Sequence, residues 1–434
     1  MAKKKTTRKP RKQNKIQSVK GMSDILPKDQ KYWDAFIKVA SSLAETFGFQ
    51  KIDVPILEDV NLFRRGVGKG TDIVVKEMFE LETKGGDNLA LRPEPTAGIV
   101  RSYIEHGMRS LPKPVKLYFS GPVFRYERPQ KGRRRQFHQF DVEVLGSRQA
   151  VSDAQVIALG WQILDKLDLS SNVVVQLNSI GCLECRPEYI ELLKDYYKGK
   201  SRHLCADCKV RLKINPLRVL DCKTEKCSRL SSGAPNSVDY LCGECKDHFK
   251  ELLEFMDELD IPYELNHLLV RGFDYYTKTV FEYTDKDDPK FAYGGGGRYD
   301  GLVQLLGGKP TGAVGFGLGM ERIVDILKEK KKDKIPSRYR KPQVYLAQLG
   351  ESGKRKAFKV FIDLLLSGIT THESFSRNSL QSQLTRANKL GVKFLLIIGQ
   401  KEVLDDTVIV RDMGSGVQEV LPLSEVVEFL KKFL

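Results

Sequence analysis

The chain has 434 residues, 41% hydrophobic and 29% charged, enough to bury a sizeable core in roughly two to four domains. Its longest apolar run near the C-terminus, FLLIIG at 394–399, is far too short to cross a bilayer. Residues 1–20 carry nine Lys or Arg and lack the apolar segment of a secretory signal, so membrane-spanning and exported classes are excluded and a cytoplasmic location is expected.

Lys and Arg outnumber Asp and Glu 72 to 56, for a net charge of +16, and a polyanionic partner is the simplest reading of that excess. Much of the excess sits in residues 1–18, read as a basic disordered tail that could track phosphates weakly. The first folded element is a helix near 29–47, with Trp33, Phe36, Ile37, Ala40, Leu43, Ala44 and Phe47 on one stripe and Gly48 as its stop. KIDVPILED at 51–59 reads as a strand whose Pro55 belongs at an edge or interface. GVGKGT at 66–71 has the wrong spacing for a Walker A loop.

LALRPEPTAGIVRSYIE at 89–105 reads as strand, turn and helix. Glu94 and Thr96 stand at the helix entrance, where Thr96 would ordinarily be an N-cap. Between 124 and 144, FRYERPQKGRRRQFHQFDVEV reads as two strands joined by a basic loop, the densest internal cluster of positive charge, suited to phosphate.

All eight cysteines fall between 182 and 245, paired as Cys182 and Cys185, Cys205 and Cys208, Cys222 and Cys227, and Cys242 and Cys245. Such spacing lets two sulfurs face one tetrahedral ion, and structural zinc in one or two closed thiolate sites without a catalytic part is expected. The grouping stays open, as does a site using four or six cysteines, with His203 and His248 nearby. RGFDYYTKTVFEY at 271–283 is strand-like in its alternation. Arg271, Phe273, Tyr275 and Thr277 would share one face and Gly272, Asp274, Tyr276 and Lys278 the other, with polar tips on aromatic bodies that suit a small-molecule pocket. YGGGGRYDGL at 293–302 follows, and then TGAVGFGLGMERIVDIL at 311–327, a glycine-rich strand leading into a helix that carries Arg322. A charged linker at 328–341 precedes an α/β segment at 342–434. That segment includes a helix with Phe358, Phe361, Leu364 and Leu365 inward, a second helix at 379–390, and strands KFLLIIG and DTVIVRDM.

RGFDYY and YGGGGRYDGL closely resemble two signatures of histidyl-tRNA synthetases, a class II aminoacyl-tRNA synthetase family. The blocks at 29–59, 124–144 and 311–327 resemble class II motifs 1, 2 and 3, and 342–434 resembles that family's anticodon-binding domain. The resemblance implies an α+β fold: a catalytic domain on an antiparallel sheet flanked by helices, an insertion domain, and a C-terminal α/β domain. The expected boundaries are 19–181 and 266–330 for the catalytic domain, 182–265 for the cysteine-rich insertion, 331–341 for the linker and 342–434 for the anticodon-binding domain.

It further implies ATP-dependent conversion of histidine to histidyl-adenylate, transfer to the 3′ end of tRNA(His), Mg²⁺ bridging phosphate oxygens, and a homodimer formed through motif 1. Arg125 is then expected at the α-phosphate and Arg271 at that phosphoryl group and the histidine carboxylate. Arg322 would engage the nucleotide, Phe137 stack on adenine and Glu127 lie near its edge. Glu143 and Tyr276 are expected at the imidazole, with Glu94, Thr96, Gln139 and Tyr275 along the rest of the amino acid. Pro95 replaces a glycine of the family pattern and removes a backbone N–H. Arg128 and Gln130 are expected toward the tRNA acceptor end. A non-enzymatic nucleic-acid-binding chain, suggested by charge and cysteines, would leave the RGFDYY pocket without a use, and an inactive synthetase paralogue would lack the C-terminal domain and the intact signatures.

Overall fold

The computed structural model describes residues 15–68, 71–130, 132–330, 341–376 and 379–434. Most of the basic tail, Lys69 of GVGKGT, Lys131 of the basic loop and all but the end of the linker therefore lie outside the described residues. The chain divides into two compact units, Met1–Ile335 and Pro336–Leu434.

In the first unit, helix α1 (Gln30–Thr46) buries Trp33, Phe36, Ala40 and Ala44 and ends before Gly48, whose φ of +82° suits glycine. Ile37, at the rim of the stripe, stays exposed. The segment 51–59 is not one strand. It breaks into β1 (Gln50–Lys51) and β2 (Leu57–Asp59), which join different sheets on either side of Pro55, because a residue without an N–H cannot carry a ladder across. A small sheet, ordered β2, β4 (Asn88–Leu91), β3 (Phe79–Glu82), packs near α2 (Val60–Gly66) and α3 (Thr96–Glu105).

The main sheet has eight strands. They are β1, β5 (Val115–Phe124), β6 (Gln136–Leu145), β7 (Val173–Ser179), β8 (Tyr263–Leu265), β9 (Thr277–Asp285), β10 (Ala292–Arg298) and β11 (Ala313–Gly319), in the order β1-β5-β6-β11-β10-β9-β7-β8. Only the edge pairs β1–β5 and β7–β8 are parallel. β5 and β6 form a ten-pair hairpin from Val115↔Leu145 to Phe124↔Gln136. One face of the sheet is covered by α1, α4 (Ala150–Lys166), α9 (Gly243–Glu258) and α11 (Met320–Lys330), and the core there includes Phe140, Val142 and Val144 from β6 and Val314, Phe316 and Leu318 from β11. Each large apolar side chain fully buried there contributes about 1.5–3 kcal/mol, and the alternate residues of the same strands are left for the other face.

Between β7 and β9 lie α5 (Arg186–Lys198), α6 (Ala206–Ile214), α7 (Leu217–Leu220), α8 (Glu225–Ser231) and then α9. Phe249, Leu252 and Met256 of α9 belong to the main core and β8 pairs with β7, so 243–265 packs with the main sheet and its helices. Asp153 of α4 is fully buried and takes Arg298 Nη2 at 2.6 Å and His248 Nε2 at 2.6 Å, tying α4, β10 and α9 together. α10 (Leu302–Leu305) connects β10 to β11.

The second unit is a five-stranded sheet, β13 (Thr371–Glu373), β12 (Val344–Gln348), β14 (Phe394–Ile398), β15 (Thr407–Asp412), β16 (Gln418–Pro422), in that order. β14 is buried along its whole length and so reads as an unbroken apolar run. α12 (Gly350–Leu366) lies over one face of the sheet and α13 (Leu380–Leu390) over the other, and α14 (Gln400–Leu404) and α15 (Val426–Phe433) complete the unit. α12 turns Ala357, Val360 and Leu364 inward, whereas Phe358 and Leu365 are exposed, a correction to the expected face. Its stripe is apolar beyond the width that the sheet covers, and sequence alone placed the centre about one residue off.

Candidate active site

The face of the main sheet left free by the helices floors a cleft of about 720 Å³. Phe137, Gln139, Asp141 and Glu143 alternate along β6 into it, while the neighbouring strands supply mostly glycine. A Cβ built on Gly315 would sit well inside contact distance of Glu143, and one on Gly317 would do the same to Asp141 and Gln139. The strand leaves room for the acids opposite because it carries no side chains there.

One end of the cleft is acidic. Glu94, at the mouth of α3, accepts from the N–H groups of Thr96 (2.6 Å) and Ala97 (2.9 Å), so this carboxylate caps the helix. Thr96 is the first helical residue, not the N-cap, and its hydroxyl donates to Glu143 Oε1 at 2.6 Å. Tyr299 donates to the other oxygen of Glu143. Burial pushes the Glu143 carboxyl up to about 8, against the pull of the Thr96 and Tyr299 hydroxyls. Burial, then the nearness of Glu143 and Glu94, holds Asp141 well above the carboxylate range. Three crowded carboxyls in one pocket favour a ligand that brings donors or positive charge. Consistent with this, Gln139 Oε1 and Asp141 Oδ2 are buried with no hydrogen-bond partner among the described residues.

The RGFDYY stretch is not a strand. β9 begins only at Thr277, and 271–276 is a turning loop that packs both adjacent tyrosines toward the cleft, with Tyr275 and Tyr276 ring centroids 4.7 Å apart. Two-face alternation would have separated them. Tyr275 also meets Phe273 (5.2 Å) and Tyr299 (5.6 Å), making an aromatic box around the acids. Arg271 stands at the rim of this box, with Nη1 2.5 Å from Glu282 Oε1 of β9 and Nε buried without a partner among the described residues. Glu282 holds one arm of the guanidinium and leaves the other donors for a ligand.

The opposite end of the cleft is basic. Arg125 is fixed by Nε to Pro93 O at 3.0 Å and lies over the Phe137 ring (5.2 Å) and the Phe273 ring (5.6 Å). Arg322 reaches from α11, donating to Ala292 O and, at 3.4 Å, to Gly132 O of the β5–β6 loop, with its guanidinium over Phe291. Arg133 and Arg134 line the same end, and Glu127 pairs with Arg133 at 3.3 Å. Arg128 and Gln130 point into solvent from the loop and do not line the cleft, and Pro95 is buried behind Glu94 and Thr96.

The structure groups the cysteines. Cys182, Cys185, Cys242 and Cys245 form one tetrad and Cys205, Cys208, Cys222 and Cys227 another, each with its sulfurs within 4.8 Å of one another. His248 is committed to Asp153, and neither it nor the exposed His203 joins a group. Four site residues had not been singled out: Asp141, Tyr299, Glu282 and Glu77. Asp141 was legible, because it continues the period of two set by Phe137, Gln139 and Glu143. Tyr299 lies in YGGGGRYDGL, but nothing in that motif marks which tyrosine turns inward. Glu77 ends a single π-helical turn, Ile73–Glu77, and left no signal.

Comparison with known proteins agrees with this geometry. A family profile described as histidyl-tRNA synthetase matches residues 21–323, and one described as an anticodon binding domain matches 343–433. The chain is 45% identical over 417 residues to a histidine–tRNA ligase of Dehalococcoides mccartyi, covering 96% of this chain and 99% of the relative. It is 42% identical over 413 residues to one of Desulforamulus reducens, covering 95% and 98%. Among solved structures, the apo histidyl-tRNA synthetase of S. aureus superposes with a TM-score of 0.76 at 33% identity, covering 96% of this chain and all of that one.

Proposed function

The chain belongs to the histidyl-tRNA synthetase family, and from that membership we propose how its cleft works as a histidine–tRNA ligase. The enzyme joins histidine to ATP, releasing pyrophosphate, and passes the histidyl group to the 3′ end of tRNA(His). The observation that carries the residue assignment is that one cleft holds the buried carboxyls Glu94, Asp141 and Glu143 together with Arg125, Arg271 and Arg322.

Histidine enters with its ammonium and imidazole toward Glu94, Glu143 and the hydroxyls of Thr96, Tyr275 and Tyr276, and Gln139 and Asp141 offer further acceptors. Its carboxylate then faces Arg271. ATP lies along the basic end, with its α-phosphate at Arg125 and Arg271, its adenine at Phe137 and Glu127, and its remaining phosphates toward Arg322. A carboxylate oxygen attacks the α-phosphorus, the bond to the bridging oxygen of pyrophosphate breaks, and the fixed cations meet the charge gathering on the phosphoryl oxygens. In the second step a ribose hydroxyl attacks the activated carbonyl and AMP leaves.

Mg²⁺ would neutralise phosphate charge when bound. Glu127 and Glu77, which line the cleft, would be the residues to hold it beside the phosphates. Arg128 and Gln130, exposed on the loop, are assigned to the acceptor end of the tRNA. One zinc ion is assigned to each cysteine tetrad. No helix among the described residues is long and apolar enough to cross a membrane. The proposed location is the cytoplasm, which cell fractionation tests.

Histidine-dependent ATP–pyrophosphate exchange tests the reading, run on the whole chain and on a chain ending near Pro336. The shortened chain should exchange at a rate close to that of the whole protein but charge tRNA about 10²-fold less well, because one of two tethered RNA contacts is gone. Equal charging by both would give 342–434 another role. A homodimer is proposed through the α1–β2 region, where Ile37, Ile56 and Leu57 are exposed apolar residues. Sedimentation at low micromolar concentration should find a dimer, and a fully active monomer would refute it.

A further inference from the structure

We propose that the two cysteine tetrads are metal-braced buttresses for the 271–276 loop, so that metal occupancy of the second tetrad sets the geometry of the amino-acid site. The inference rests on the ligase reading above and deepens it. Histidine selection would depend on a metal that never touches histidine.

The sulfurs are already arranged for metal. Cys182 lies 3.7 Å from Cys185 and 3.9 Å from Cys242, Cys185 lies 3.9 Å from Cys245, and Cys205 lies 3.8 Å from Cys222. Four thiolates about 2.3 Å from one tetrahedral zinc would sit roughly 3.8 Å apart. Backbone N–H groups also point at the sulfurs, from Glu184 to Cys182 at 3.4 Å and from Cys205 to Cys227 at 3.2 Å, as suits atoms that carry negative charge on a metal.

The loop needs support from outside. Residues 271–276 lie outside any strand; apart from the Asp274 N–H, which donates to Val67 O at 3.1 Å, they are held by side chains that come from the cysteine segments. Arg186, next to Cys185, donates to Tyr276 O at 2.7 Å and to Gly181 O at 3.0 Å. Arg218 and Asn215, both between Cys208 and Cys222, donate to Arg271 O at 3.0 Å and to Asp274 Oδ1 at 2.6 Å. Each tetrad thus anchors one end of the loop that carries Arg271, Tyr275 and Tyr276. The second tetrad goes further, because Cys205 and Cys222 line the cleft itself and Arg211, three residues past Cys208, pairs with Asp72 on the cleft wall at 2.5 Å.

The segment that carries Asn215 and Arg218 consists of helices of nine, four and seven residues, too short to persist alone in water. With metal, its two ends are pinned at one point. Without metal, four sulfurs crowd together unlinked, and the donors to Arg271 O and Asp274 lose their fixed origin. A shift of about 1 Å there suffices to misplace Arg271 and the tyrosines at large cost in rate. Arg186, Asn215 and Arg218 are on this account positioning residues.

The test uses the full chain purified without chelators. Elemental analysis should find two zinc ions per chain, and growth with cobalt should give the absorption of tetrahedral thiolate cobalt in the same amount. Cys222→Ser should bind one ion and raise the histidine KM in exchange by about tenfold or more while the ATP KM stays within about threefold. Arg218→Ala should keep both ions and show the same split, which separates positioning from metal loss and stands if the cysteine variant fails to fold. Absence of metal in the wild type overturns the metal sites. Loss of one ion with an unchanged histidine KM, or an Arg218→Ala protein with a normal histidine KM, overturns the coupling. A metal-replete wild type with no histidine-dependent exchange would instead overturn the ligase reading and leave the metal count standing.

Discussion

Replacing Arg271 with alanine is expected to lower ATP–pyrophosphate exchange by about two to three powers of ten while histidine binding changes far less. The reason lies in where the guanidinium stands. Glu282 fixes one arm at 2.5 Å, the guanidinium is mostly shielded from water, and its Nε is buried with no partner among the described residues. A cation so placed needs no reorganisation when charge develops on the phosphoryl oxygens, and it is worth most at that moment. Arg271→Lys should recover little, because an ammonium cannot hold Glu282 and a ligand with the same planar fork. Pre-steady-state adenylate formation with equilibrium histidine binding separates the two effects. A variant with near-normal exchange would leave Arg125 and Arg322 as sufficient cations and remove Arg271 from the chemical step.

The second large effect is expected at Glu143. Glu143→Gln should raise the histidine KM by about 10²-fold, since the amide, unlike the carboxyl, cannot give up a proton to become the acceptor that an imidazole N–H seeks and leaves buried groups mispaired. Gly315→Ala should act in the same direction while leaving residue 143 a glutamate, because its methyl group would displace the Glu143 carboxyl. A histidine KM within about threefold of wild type in both variants would exclude Glu143 from the imidazole site.

The same substitution has a signature without ligand. Burial raises the Glu143 carboxyl from an unfolded value of 4.5 to about 8, so the folded protein binds that proton more tightly than the unfolded chain. The stability from this proton is fully present below pH 4.5 and is lost as pH rises toward 8, a few kcal/mol at about 1.4 kcal/mol per unit. Gln does not titrate, so thermal midpoints of wild type and variant should diverge between pH 5 and 8 with the variant gaining.

Much of the site could be read from local pattern. β6 shows its cleft face through strict alternation, and the helix at α1 and the strand–helix passage into α11 are visible from apolar spacing alone. The failures share a cause. At 271–276 alternating residue types suggested a strand, but the chain turns there to bring neighbouring tyrosines into one pocket, and its hydrogen bonds go to Arg186, Asn215 and Arg218, far away in sequence. The cysteines announced pairs by their spacing, yet the first pair meets the fourth across some sixty residues while the second meets the third. Which pairs combine is decided by the fold, and no local rule contains it. At 51–59 the proline was seen but not its effect, which was to hand the chain from one sheet to another.

The glycines under the cleft bear on what this gene can tolerate. Gly294, Gly295, Gly296 and Gly297 on β10, like Gly315 and Gly317 on β11, have no space for a Cβ: backbone carbonyls of the adjoining strands or the cleft side chains already fill it. Every single-base change in the first two letters of a glycine codon that still encodes an amino acid adds at least that one carbon. The sheet would have to part, or the acids and Arg271 would have to move. At these six positions mutation therefore has no conservative first step, and the floor of the cleft can change only if its neighbours change with it.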